Sequence, residues 1–521
     1  MAGVLLAAAF PCASIAVGAG EETETAHVVH VDTSVLAPVR VSIGSEEPIS
    51  NLPGILDLET AQREALAHNP SLQEVGEQVA QARAQVKLAR SLYFPQIDAA
   101  YSAAYTWLSD ADVETAQESL DSNEEMLESL DDFVSGGTFG LPPPTIRNLR
   151  RSLRHNLADI EDGRAELQDP VENYSLELSA GYLLFDGFSR EFTNAVARFG
   201  RSEIEQAQRE ARRLLLSIVA QSFYGVQLAR ENIEVARADV GFNHRLLDNA
   251  KARRARGKGA TSDVLNFEVR LRTAQTALLL AVGNHEAARL ALALLMGRPE
   301  VLLPDDTQVS GLTAETPEVM AVPDARHALR YALDHRPDLE QRAFGVQRAK
   351  AGVKQRYGEF YPQVSLIASW RASRTEDSKF REDDFSTTLG FNISYNIFSG
   401  GRRIAQLAEA KHLRRGAELR MNDAELNAIS EVRNALLELG ISQQQLLLQR
   451  ATTEYVEKNR DLVEKEYDAG RTAIAGLNQA QRDLVEAQVR LALARVSLRQ
   501  SWYELRTATA ESLDDFQEDH D

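Results

Sequence analysis

Side chains able to do chemistry are present in this sequence but are not gathered. Its ten histidines show no metal-ligand spacing. His68 and His335 recur at matching places in two similar stretches, so they read as repeated structure near a helix end. His27 and His30 stand in an acidic stretch, where weak metal binding is the chemical alternative. The single cysteine, Cys12, lies in an apolar N-terminal segment. Removal of that segment leaves no thiol for disulfides, zinc or catalysis. Five methionines give a copper path no support. No GxxxxGK[ST] phosphate loop, GxSxG elbow or HExxH zinc helix occurs. Paired carboxylates fall on helices, where they read as solvated faces. The sequence calls for no cofactor, no metal and no enzymatic reaction.

Charge is concentrated instead in three stretches. The 521 residues carry a formal charge of −20. Residues 21–50 hold six acids against Arg40, residues 108–172 hold sixteen acids against five arginines, and residues 511–521 hold six acids and no lysine or arginine. The rest is near neutral. An acidic chain without a basic stripe excludes nucleic acid as a partner. Residues 1–20, MAGVLLAAAFPCASIAVGAG, read as a signal peptide cleaved after Ala19. Its basic start is missing, so the expectation is a longer leader with Met1 inside it. Phe10 and Pro11 before Cys12 fit a lipidation site badly. No later run of 18 apolar residues occurs, so no transmembrane helix is expected.

The elements that must position any site come from a duplication. Residues 61–97 and 328–364 share 14 identities in 37 positions, with Pro70/Pro337 and Pro95/Pro362 in register at an offset of 267. Further on, YLLFDGFSREF matches YNIFSGGRRIA at an offset of 213. The difference between the offsets is an insertion in the first half, placed in the acidic segment 108–172. Each half begins with a short helix (58–68, 324–335) and a longer one (71–92, 338–360). The helix-to-strand switches follow at Pro95 and Pro362, because proline cannot continue a helix.

The segments 95–107, 174–185, 363–372 and 387–398 alternate with period two. Ile97, Tyr101 and Tyr105 oppose Gln96, Asp98 and Ser102; Leu389, Phe391 and Ile393 oppose Thr388, Gly390 and Asn392. Such strands suit a half-buried soluble sheet or a membrane barrel with a wet lumen. Their length of roughly 10 residues suits a tilted spanning strand. Aromatics near their ends (Tyr105, Trp107, Tyr174, Tyr182, Trp370, Tyr395) resemble interfacial girdles. Proline-free helical stretches 187–256 and 401–468 come next. A glycine-containing turn, with Gly257 or Gly470, reverses each into a returning helix, 262–296 or 473–510. The insert reads as two polar helices, 112–133 and 145–168.

The order helix, helix, strand, strand, long helix, turn, helix, given twice, resembles the TolC family of outer-membrane efflux channels. The resemblance rests on the paired HNP/HRP, FPQ/YPQ and LFDG/IFSG motifs, on SDVL after Gly257, and on Tyr467–Gly470. It implies a mainly α protein with a transmembrane β-barrel: a homotrimer of twelve strands, four per chain, continued by a periplasmic α-helical barrel. Four strands alone cannot close a barrel, and open edges cannot face lipid. The implied function is a passive exit duct of a tripartite efflux or type I secretion system. Its implied partners are a periplasmic adaptor, an inner-membrane transporter and outer-membrane lipid. The alternative is a soluble or secreted trimeric helical coiled-coil scaffold. The expected division is a signal peptide 1–20, an acidic extension 21–54, a first repeat 55–300, a linker 301–323, a second repeat 324–510 and an unstructured acidic tail 511–521.

The resemblance also implies a periplasmic gate. The family's aspartate in the first-half turn falls on Asp263, and its tyrosine on Tyr467. Its arginine position holds Thr472, with Arg471 one residue before. The bland alternative is three exposed turn residues, with Asp263 as a helix N-cap. Two aspartates that line the constriction in some members are replaced by Gly476 and Gln479, so an acidic ring is not expected there.

Overall fold

The computed structural model describes residues 54–107, 109–136, 143–166, 170–298, 301–304, 306–313, 315–317, 319–375 and 377–516. The expected signal peptide, all but the last residue of the extension 21–54, and the end of the tail lie outside them. The first half comprises β1 (Ile55–Leu56), α1 (Leu58–His68), α2 (Pro70–Ser91), β2 (Gln96–Thr106), α3 (Asp110–Ser135), α4 (Pro143–Glu166), β3 (Val171–Phe185), α5 (Ser189–Ala255) and α6 (Thr261–Leu295). The second comprises β4 (Gln308–Val309), α7 (Ala325–His335), α8 (Pro337–Gly358), β5 (Gln363–Thr375), β6 (Phe385–Ser394), α9 (Arg402–Asp468) and α10 (Ile474–Thr509). These residues fall into two compact units, one containing Ala236–Asn284 and the other Ile49–Val235 with His285–Asp521.

The duplication is visible element by element. Helices α2 and α8 have 22 residues each, and α5 and α9 have 67 each. At about 1.5 Å per residue, α9 is roughly 100 Å long. Two apolar clusters repeat the same positions. One joins Ala61, Ala65, Val219, Val226 and Leu292; the other joins Ala328, Ala332, Val432, Leu439 and Leu505. In the smaller unit, Phe242, Leu246 and Ala250 of α5 and Val264, Phe267, Leu271 and Ala274 of α6 are buried. The α6 positions carry the alternating three- and four-residue spacing of a coiled-coil seam.

The halves differ at the joint between their first two helices. Asn69 caps α2, its Oδ1 accepting from Ser71 and Leu72 N–H at 3.0 and 3.2 Å. Its counterpart Arg336 makes no side-chain cap. Gly297 closes α6 so tightly that a Cβ there would lie 2.2 Å from the His68 carbonyl oxygen.

Three expectations need correction. The expected linker 301–323 belongs to the core: β4 pairs with β1 in parallel, and Leu303 and Val309 are buried beside Phe223. A two-residue strand is too short to show periodicity. Trp502 Nε1 also donates to Val319 O at 2.6 Å, which holds this segment to α10. The tail is folded through Phe516, because Leu513 packs with Leu216 and Tyr503, and Tyr331 donates to Asp514 at 2.5 Å. Strand β6 ends at Ser394, short of residue 398. Helix α6 has the length and composition of a membrane span, while charges keep it from forming a continuous apolar run.

Candidate functional site

The four long strands form one antiparallel sheet in the order β2-β3-β5-β6. Their register assigns every side chain to a face. One row runs Tyr101, Leu176, Ala372, Phe385, and another runs Ile97, Ala180, Ala368, Leu389. This face is apolar and open, with Leu389 74% and Phe391 62% exposed. Trp370 stacks on Phe385 at 4.0 Å near its rim. The opposite face is polar. Ser102 Oγ lies 2.8 Å from Ser175 Oγ, and Arg371 Nη2 donates to Glu177 Oε2 at 2.6 Å. Apolar outside and polar inside is the pattern of a barrel wall between lipid and water.

The helix-to-strand switches at Pro95 and Pro362 are alike. Helix α2 ends four residues before Pro95, and α8 four before Pro362. Single turns bridge the gap: Phe94 N–H donates to Ser91 O at 3.0 Å and Tyr361 N–H to Gly358 O at 3.1 Å. The prolines therefore open the strands rather than end the helices. Each junction is latched by an arginine that motif reading missed. Arg190 Nη2 donates to Leu184 O at 3.2 Å, with its guanidinium 5.3 Å over the Tyr93 ring. Arg403 Nη1 donates to Glu359 O at 3.1 Å and lies 5.3 Å over Phe360. Their shared place in the repeat alignment was the available signal. A Cβ on Gly187, where φ is +67°, would lie 2.4 Å from Gly358 O, so the exit of β3 packs directly on the end of α8.

The helix turns also match. Gly257 has φ +71° and Gly470 φ +72°. Gly257 N–H donates to Arg254 O and Lys258 N–H to Arg253 O; Gly470 N–H donates to Tyr467 O and Arg471 N–H to Glu466 O. Both are Schellman endings, which need a left-handed residue. Helix α6 begins at Thr261, which puts Asp263 inside its first turn rather than at the cap. There a carboxylate favours the helix dipole. Asp263 is half-buried and belongs to the smaller unit. Tyr467, Arg471 and Thr472 share the other turn, with Arg471 exposed and the other two half-buried. Gly476 and Gln479 follow, and Gln479 Nε2 donates to Asp483 Oδ1 at 2.7 Å. Among the described residues, no group of three or more His, Cys, Asp or Glu could hold a metal ion.

The profile of the outer membrane efflux protein family matches residues 151–298 and 328–511, one segment in each repeat. The chain belongs to the outer membrane efflux protein family. Relatives include the alkaline protease secretion protein AprF of Pseudomonas aeruginosa, 27% identical over 65% of this chain and 68% of that one. The pyoverdine export outer membrane protein OpmQ of the same organism is 28% identical over 63% and 68%. Among solved structures, CusC superimposes with a TM-score of 0.66 over 89% of this chain and 96% of that one, at 18% identity. The CmeC outer membrane channel of Campylobacter jejuni gives 0.67 over 87% and 86%, at 15% identity. The fold is therefore that of these channels. This efflux protein is an outer-membrane channel, and the soluble scaffold reading is set aside. Its family is one of channels rather than enzymes.

Proposed function

We propose that this channel is a homotrimeric exit duct, a passive conduit from the periplasm to the exterior. It works with a periplasmic adaptor and an inner-membrane transporter in a tripartite efflux or type I secretion system. The observation that carries the trimer is a missing strand partner. Residues Tyr182, Leu183 and Phe185 of β3 pair only with β5. Their repeat equivalents, residues 395–398, follow β6, which stops at Ser394, and among the described residues no strand pairs with them. The free edge equivalent to β5 is β2. A second copy's β2 completes the seam, and the repeat offsets give its register: Ser179↔Ser369 becomes Asn392↔Ser102. The exposed Phe398 then takes the place that Phe185 holds beside Tyr361. Three copies close twelve strands and remove every edge.

In this reading the repeats 55–300 and 324–510 are the structural halves. Asp263, Tyr467, Arg471 and Thr472 close the periplasmic entrance, and the apolar sheet face meets outer-membrane lipid. The relatives' names come from protease secretion and pyoverdine export, so a polypeptide and a small molecule both fit as cargo. Cysteines at Ser102 and Asn392 test the trimer. Oxidation of membranes carrying both should yield covalent trimer, and Ser102→Cys with Thr388→Cys should not. A chain that stays monomeric under the first pairing overturns the reading.

A further inference from the structure

We infer that the helical hairpin α3–α4 is an extracellular lid, closed by contact with the same hairpin of the two other copies. The inference rests on the trimer proposed above and deepens it by assigning regulation to the outer end. The hairpin joins β2 to β3, whereas the equivalent β5–β6 connection is a short loop with one 3₁₀ turn. Its inner seam is regular. Leu120, Leu127 and Val134 on α3, and Ile146, Leu153 and Leu157 on α4, are among the less exposed positions, with Glu124, Asp131 and Arg150 interspersed, at coiled-coil spacing. At 100° per residue, the two remaining flanks of α3 differ sharply. One carries Glu118, Glu125, Glu128 and Asp132, level with Arg147 and Arg151 on the same side of α4. The other, from Ser119 to Leu130, carries no charge.

The uncharged flank is apolar towards the tip. Met126 is 55%, Leu130 43% and Leu149 41% exposed. A charged flank is served by water; a neutral, apolar one on a helix this acidic needs a partner. The symmetry selects that partner. The hairpin grows from β2, the strand that meets the neighbouring copy, so the lid continues that seam. A twelve-stranded barrel with strands tilted about 40° has a radius of about 12 Å. Helix α3 has 26 residues, or about 39 Å, so three hairpins can reach the axis. Approach through the acidic flanks is repelled. Approach through the neutral flanks buries Met126, Leu130 and Leu149 and leaves the charge outside.

The test uses the full-length channel in outer membranes, with the Ser102/Asn392 cysteine pair run in parallel to report the trimer. Leu130→Cys should give cross-linked dimer on oxidation, and Glu128→Cys should lose that product. Leu130→Arg should raise single-channel conductance several-fold while the trimer persists. Formation of the strand-seam cross-link with no Leu130→Cys dimer, or with equal dimer from Glu128→Cys, overturns the lid and leaves the trimer standing. A polarity-sensitive dye on Leu130→Cys that shifts only when lipopolysaccharide is added assigns the face to lipid and also overturns the lid. Failure of the strand-seam cross-link overturns the trimer, and the lid with it.

Discussion

Arg336 Nη1 donates to Glu431 Oε2 at 2.6 Å, from a side chain only 2% exposed. The same guanidinium donates to Asp338 Oδ2 at 2.9 Å and to Ala508 O at 3.1 Å. One residue thus ties the α7–α8 joint to α9 and to the end of α10. Burial alone would lower the Arg336 pKa, but the Asp338 and Glu431 carboxylates more than offset it and raise it. Burial likewise opposes ionisation of Asp338, and Arg336 outweighs it and holds its pKa below 3.8.

Arg336→Asn should restore the cap of the first repeat but leave the mostly buried Asp338 without its cation, while the half-exposed Glu431 turns to water. The lost charged hydrogen bonds cost about 3 kcal/mol, and the new cap returns about 1 kcal/mol. A lowered melting temperature by circular dichroism in detergent checks this. Because the Asp338 pKa is depressed, its contribution is present above 3.8 and is lost as pH falls through the folded value. The wild-type melting temperature should therefore fall on acidification below that point, and the fall should be smaller in Asp338→Asn.

The left-handed glycines divide into two classes. Gly257 and Gly470 have open space around them, so alanine there carries only the backbone strain, about 1 kcal/mol. Gly297 meets the His68 backbone, and its alanine variant must also displace a packed helix joint. Gly297→Ala should lower the melting temperature well beyond Gly470→Ala. Equal shifts would show that the α6 ending relaxes freely.

His285, with a side chain 18% exposed, lies 3.4 Å from Glu286. Burial lowers its pKa below 6.5 despite that neighbour. A histidine held neutral contributes stability above the unfolded value, near 6.5, and loses it as pH falls through its depressed folded value. The channel should be less heat-stable at mildly acidic than at neutral pH. His285→Gln should flatten that dependence; an unchanged profile assigns it to other groups.

Much of the fold was legible because the chain states it twice. Pro95 and Pro362 located the strand starts, and the offset of 213 located Gly257 and Gly470. What escaped reading was held by single contacts. The β1–β4 bridge has two residues per strand, and the Tyr331–Asp514 bond that orders the tail crosses 183 positions. Arg190 and Arg403 work through carbonyl oxygens and aromatic faces, partners that leave no motif. The end of β6 was misplaced for a different reason: residues 395–398 alternate like a strand, but among the described residues no strand pairs with them.

The entrance gives the last prediction. Asp263 occupies the first turn of α6, and its repeat equivalent is Gly476, so the first-half turn alone offers a carboxylate at this position. Tyr467 offers a phenol and Arg471 a guanidinium from the second-half turn, while Thr472 stands where the family places arginine. If these residues hold the entrance closed, removing both ends of one link must loosen it. Asp263→Ala with Tyr467→Phe should raise single-channel conductance in planar bilayers. Thr472→Arg should lower it, because a cation would be restored opposite the acid, and that reduction should vanish when Asp263→Ala is added. A Thr472→Arg effect that survives loss of Asp263 would mean the arginine acts on some other group and that these turns are not linked.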